Sequence, residues 1–149
     1  MNTPFHELHH ICLVVHDIDR TQAYYESVGI GPWRDYPPLS DYVDLDVPEP
    51  DAFNQLTYRV ADLANVQLQL CEPPRLDCPQ RRFLDEHGEG VFQLGFEHEV
   101  ASAVEQGRAL GLDVLMRGQR DDGTGFVYFD TLEQAGVTLI ARATPPLSS

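Results

Sequence analysis

The chain of 149 residues carries 24 acidic and ten basic side chains, a formal charge of −14, which argues against nucleic acid because phosphate backbones are held by clustered cations. All ten basic residues are arginine, so Schiff-base chemistry on lysine is excluded. With 42% hydrophobic and 23% charged residues, no apolar run of about 20 and no basic-then-apolar leader, the expectation is one cytoplasmic globular domain over 1–149, with no membrane contact.

Leu8 to His16 alternates as a strand, with Ile11, Leu13 and Val15 on one face and His10, Cys12, Val14 and His16 on the other. Asp17 or Asp19 is a suitable N-cap for a helix over Thr21 to Val28, stopped by Gly29. A short strand is expected around Trp33 to Tyr36, and the acidic, proline-containing stretch Leu39 to Ala52 reads as a long loop or flap. Gln55–Ala61 and Val66–Cys71 form a hairpin pattern around Asp62 to Asn65. In "NVQLQLCEPP" the strand sets Gln67 and Gln69 on the side opposite Val66, Leu68 and Leu70.

Residues 73–89 read as a linker and a short helix, Gln80 to His87, ending at Gly88. Val91 to His98 is again a strand and Val100 to Leu110 a helix. Three further strand runs follow near Asp113–Arg117, Phe126–Asp130 and Val137–Arg142, before a tail at 144–149. Cys12, Cys71 and Cys78 form no CxxC pair, so neither a disulfide framework nor a structural zinc site is expected.

A βαβββ order therefore occurs twice, over 7–72 and 90–143. HICLVVHDI (His10 to Ile18) lies over QLGFEHEV (Gln93 to Val100), and ANVQLQL (Ala64 to Leu70) over AGVTLIA (Ala135 to Ala141). An internal repeat is the most informative feature of the chain.

The segments "HHICLVVHDIDRTQAYYESVGIGPW", "VQLQLCEPP", "FLDEHGEGVFQLGFE" and "GFVYFDTLEQAGVTLI", in that order, resemble the vicinal oxygen chelate superfamily. The superfamily includes glyoxalase I, methylmalonyl-CoA epimerase, extradiol dioxygenases and bleomycin-resistance proteins, and the epimerase branch is the one most resembled. The resemblance implies an α+β fold in which two βαβββ modules form facing curved mixed sheets around a central cavity. It also implies a homodimer and a divalent metal held by the first and last strands of each module.

Position by position, the implied ligand set is His10, Gln69, Gln93 and Ile140, so that one imidazole and two neutral amides remain and the last-strand carboxylate is replaced by a hydrocarbon. This degenerate metal site implies an enzyme that is metal-independent or binds a divalent ion weakly. His10 is then a candidate general base, and Gln69 and Gln93 either orient a ligand oxygen or hydrogen-bond to each other. Glu97 shares the Gln93 face and either shuttles protons or pairs with an arginine such as Arg59. Arg59 meets either a ligand anion or an acidic side chain, and Tyr128 lines the cavity or the core. His6 and His9 are expected at the surface.

Two functions follow from these residues. One is an isomerase or lyase acting on an acyl-CoA or small oxo acid. The other is a non-catalytic protein that sequesters a hydrophobic or aromatic small molecule.

Overall fold

The computed structural model describes residues 2–37, 39 and 42–144. In chain order its elements are β1 (Leu8–Val14), α1 (Ile18–Ser27), β2 (Trp33–Asp35), β3 (Asp44–Asp46), α2 (Pro50–Asn54), β4 (Thr57–Asp62) and β5 (Gln67–Glu72). After these come α3 (Pro79–His87), β6 (Gly90–Glu97), α4 (Val100–Ala109), β7 (Val114–Gln119), β8 (Gly125–Phe129), α5 (Leu132–Ala135) and β9 (Thr138–Ala143). The expected tail lies, beyond Thr144, outside the described residues.

Contacts divide the chain into two compact units: His10–Leu39 with Glu49–Phe92, and Met1–His9 with Ser40–Pro48 and Gln93–Ser149. In the first, the strand order is β2-β4-β5-β1, with β1 parallel to β5 and the other neighbours antiparallel. Asp17 starts α1 as expected, its carboxylate accepting from the Arg20 N–H at 3.1 Å. Through this capped helix Ile18 reaches the sheet, where it is buried with Val15 and Leu70 and flanked by Leu13, Tyr25 and Trp33. The helix α3 approaches the opposite face, where the Gln80 amide lies 3.4 Å from the Tyr58 hydroxyl.

The second unit repeats this topology as β7-β8-β9-β6, with β6 parallel to β9, and adds β3 antiparallel to β7 at the edge. Its helix α4 buries Val100, Ala103 and Val104 against Val127, Phe129 and Ala141. The approach is close enough to require glycine: a Cβ on Gly107 would stand 2.4 Å from the Phe129 ring. Such overpacking typically costs about 1–3 kcal/mol.

The repeated βαβββ order makes this an α+β protein, in keeping with the fold that the sequence resemblance implies. One segment differs from the sequence expectation. The stretch predicted as a loop over Leu39–Ala52 contains β3 and the start of α2, while Ser40 and Asp41 lie outside the described residues. A three-residue strand has no alternation to read; β3 exists because the open edge of β7 pairs with it.

Candidate ligand-binding site

In the first unit the parallel ladder sets His10 opposite Gln67 and Cys12 opposite Gln69. All four side chains therefore share one face, the face that α1 does not cover. His10 is 3% and Gln69 4% exposed. Gln69 donates through Nε2 to Gln67 Oε1 at 2.7 Å, Gln67 donates through Nε2 to Asp62 Oδ1 at 2.9 Å, and Arg34 Nη2 closes on Asp62 Oδ2 at 3.0 Å.

The chemistry of this chain is directional. An ionised carboxylate only accepts, so Asp62 fixes which end of the Gln67 amide faces it, and Gln67 in turn fixes Gln69. Gln69 retains its carbonyl oxygen and one amide hydrogen for any ligand. Burial pushes the Cys12 thiol well up, with the nearby Cys71 adding to the shift. Cys12 is accordingly a neutral wall of this face, not a nucleophile or a thiolate ligand. An imidazole, by contrast, is the type of side chain that takes and releases protons near neutral pH.

In the second unit Gln93 pairs with Thr138, Gly95 with Ile140 and Glu97 with Arg142, while Tyr128 pairs with Ile140 and Met116 with Tyr128. Gln93, Thr138, Ile140, Tyr128 and Met116 thus share the face away from α4, each between 2% and 4% exposed. Around Ile140, Tyr128 and Met116 this face is mostly apolar; its polar side chains are Gln93, Thr138 and the Tyr128 hydroxyl, with the Glu97–Arg142 pair further along the strands.

For two residues whose roles the sequence left open, the structure gives the partners. Glu97 is tied up on its own sheet: Arg142 Nη1 lies 3.2 Å from Oε2, and the Thr144 N–H donates to Oε1. Its arginine partner is Arg142, not Arg59, because register makes Glu97 and Arg142 cross-strand neighbours. The same Arg142 nitrogen is 2.9 Å from His9 Nε2, so His9 is half-buried in this network, whereas His6 is exposed as expected.

Arg59 belongs to the α1 side of its sheet, since it pairs with Leu70 in the ladder. There it bonds Gln22 Oε1 at 2.7 Å, Asp19 at 3.2 Å and Asp35 at 3.0 Å. Its guanidinium is a strut between helix and sheet, on the face opposite His10 and Gln69. Sequence reasoning set Gln67 beside Gln69 but gave no role to Gln67, Asp62 or Thr138; their two-residue spacing from Gln69, Val60 and Ile140 was the available signal.

Neither unit's donor set, taken by itself, fits a catalytic divalent cation. The first unit supplies an imidazole and an amide already engaged through its nitrogen, and the second an amide and the hydrocarbon of Ile140. Hard cations need charged oxygen donors, and the nearest carboxylate on the second face, Glu97, is held by Arg142. Among the described residues no three His, Cys, Asp or Glu side chains come together as a metal site.

Two βαβββ units, each with its parallel first and last strands carrying buried polar side chains on the face away from the helix, define a protein of vicinal oxygen chelate type. The model described as Glyoxalase/Bleomycin resistance protein/Dioxygenase superfamily matches residues 9–129, and the chain belongs to that superfamily.

Among solved structures it is similar to methylmalonyl-CoA epimerase from Mycobacterium tuberculosis, with a TM-score of 0.70, 16% identity and coverage of 98% of this chain and 93% of that one. A methylmalonyl-CoA epimerase in complex with methylmalonyl-CoA and ammonium matches with a TM-score of 0.70 and 21% identity, covering 97% and 99%. A hypothetical protein from Bacillus halodurans matches with a TM-score of 0.68 and 13% identity, covering 96% and 97%. Likeness at these identities speaks for the fold. Among curated proteins no relative matches significantly. None of the helices among the described residues is long and apolar enough to cross a membrane.

Proposed function

We propose that the chain is a small-molecule enzyme of the glyoxalase and methylmalonyl-CoA epimerase type, an isomerase or lyase acting on an acyl-CoA or a small oxo acid. The observation that carries this reading is the placement of His10 and Gln69 on one buried face of a single parallel strand pair. His10 takes the proton from carbon α to a carbonyl, and the remaining Gln69 amide hydrogen holds the oxygen on which negative charge develops. Gln93 stands in the second repeat where His10 stands in the first, and on its own unit's face it is a separate candidate for a ligand contact. A homodimer in the cytoplasm belongs to it as well, by resemblance and composition. The proton transfer asks no metal of a donor set that suits one poorly.

The test is deuterium incorporation at the α-carbon in D₂O, with a panel of acyl-CoA esters and 2-oxo acids. Exchange that is lost in His10→Ala and weakened at least tenfold in Gln69→Ala supports the enzyme. Tight binding of a panel member with no exchange overturns it.

A second reading rests on the second unit's face, where Ile140, Tyr128 and Met116 are all buried. Such a wall suits a protein that sequesters an apolar or aromatic small molecule. Aromatic ligands bound without turnover, and bound equally well by His10→Ala, would select that reading.

A further inference from the structure

The first unit also holds a recess lined by none of His10, Cys12, Gln67 and Gln69. A cavity of about 360 Å³ is lined by Arg75, Leu76, Asp77, Arg81, Arg82 and Asp85, at the start of α3 and the loop before it. Three of the chain's ten cations thus fall within eight residues, in a molecule of net charge −14. The overall field repels anions, so only a local concentration of guanidinium groups can hold one.

The three arginines differ in how firmly they are engaged. Arg82 is fixed, with Nη1 2.8 Å from Asp77 and 3.6 Å from Glu49. Arg81 is loosely held: Nη1 is 3.6 Å from Asp85, Nη2 is 3.5 Å from the Pro73 carbonyl, and Nε has no acceptor among the described residues. Hydrogen bonds at such lengths are weak. Arg75 is exposed, and no ion pair or hydrogen bond ties it to any described residue. If these arginines served only the surface ion-pair network, each would be expected to close on an acid as Arg82 does.

Arg75, tied to no described residue, and Arg81, whose contacts with Asp85 and Pro73 are long, stand beside an engaged third, and guanidinium forks suit phosphate oxygens. The cavity falls in the range of about 300–1,000 Å³ typical of small-molecule sites, larger than a lone anion needs. Leu76, 42% exposed, adds an apolar wall.

We propose that this cleft is an anion subsite for a phosphorylated small molecule, engaging a pyrophosphate or phosphomonoester group through Arg75 and Arg81. An acyl-CoA and a free phosphorylated metabolite both present that chemistry. The proposal is compatible with the function above but does not depend on it.

The experiment is calorimetric titration of the full chain with inorganic pyrophosphate, coenzyme A, dephospho-coenzyme A and pantetheine, at 50 and 300 mM salt. Pyrophosphate is expected to bind, with affinity falling at least tenfold in Arg75→Glu and in Arg81→Ala and weakening with salt. Arg75→Glu changes an exposed residue and keeps the test valid if Arg81→Ala misfolds.

Coenzyme A binding more tightly than pyrophosphate, with the same arginine dependence, assigns the anion to the coenzyme. Pyrophosphate binding without coenzyme A binding keeps the subsite and counts against the acyl-CoA reading of the active site. No pyrophosphate binding, or binding unchanged in Arg75→Glu, overturns the proposal.

Discussion

Gln69 gives its amide hydrogen to Gln67 at 2.7 Å, and this contact decides which end of Gln69 faces a ligand. The decision originates at the surface, because Gln67 is itself set by Asp62. Replacing Gln67 by Leu leaves a buried amide donor without its acceptor. It is expected to destabilise the protein by about 1–3 kcal/mol in urea unfolding. Asp62→Asn, at a mostly exposed residue, should change stability by less than about 1 kcal/mol. An asparagine can turn either end to Gln67, so the Gln69 side-chain amide protons should lose protection in NMR exchange. Unchanged protection would show that Asp62 does not set the chain.

Arg59 joins α1 to the sheet through three partners, two of them exposed acids. Arg59→Ala should cost about 1–2 kcal/mol by chemical denaturation, the exposed partners contributing little each. Arg59→Lys should recover less than half, since a single ammonium cannot reproduce the fork. Ligand affinity should be unchanged in both, because the residue lies on the α1 side. A ligand-affinity loss greater than the stability loss would return Arg59 to the site.

The buried thiols give the protein an alkaline limit. Burial is the main cause that raises Cys12 and Cys71, and at Cys71 a hydrogen bond from Tyr58 opposes it in part. Folded-state values above the unfolded ones mean that the native protein keeps these protons while the unfolded chain releases them. Stability is therefore independent of these groups below the unfolded thiol range near pH 8.5 and falls above it. The expected slope is about 1.4 kcal/mol per pH unit for each thiol. Urea midpoints from pH 7 to 10, compared between wild type and Cys12→Ala/Cys71→Ala, test this. Parallel pH profiles would exclude it.

Ile140 is where the family resemblance expects a glutamate, and it is 3% exposed. Ile140→Glu should lower the melting temperature in chelator by burying a carboxylate, and a divalent cation should restore part of the loss. The wild type should not shift on metal addition. A stoichiometric ion in the purified wild type that survives dialysis would contradict the donor-set argument.

What the sequence made legible was what alternation and local chemistry encode. Asp17 as N-cap, the hairpin of β4 and β5, the end of α3 at Gly88 and the repeated topology are all local or period-two signals. The faces of His10, Gln69, Gln93 and Ile140 followed from the same period. Partner choice did not. Whether Arg59 meets a ligand or Asp35, and whether Glu97 meets Arg59 or Arg142, depends on register between strands distant in sequence. Helix α5, four residues long, and the strand β3 were too short to show any period.

That same β3 bears on how the repeat can be divided. It comes from the first half of the sequence, yet it pairs with β7 and extends the run β6 to β9, which comes from the second half. The N-terminal Phe5 likewise packs on Phe96 and Phe129. No single cut of the backbone therefore yields two self-sufficient halves. If the chain arose by duplication of a shorter one, its second copy has since come to rely on segments borrowed from the first, and it could not be replaced by a fresh copy without rebuilding that edge.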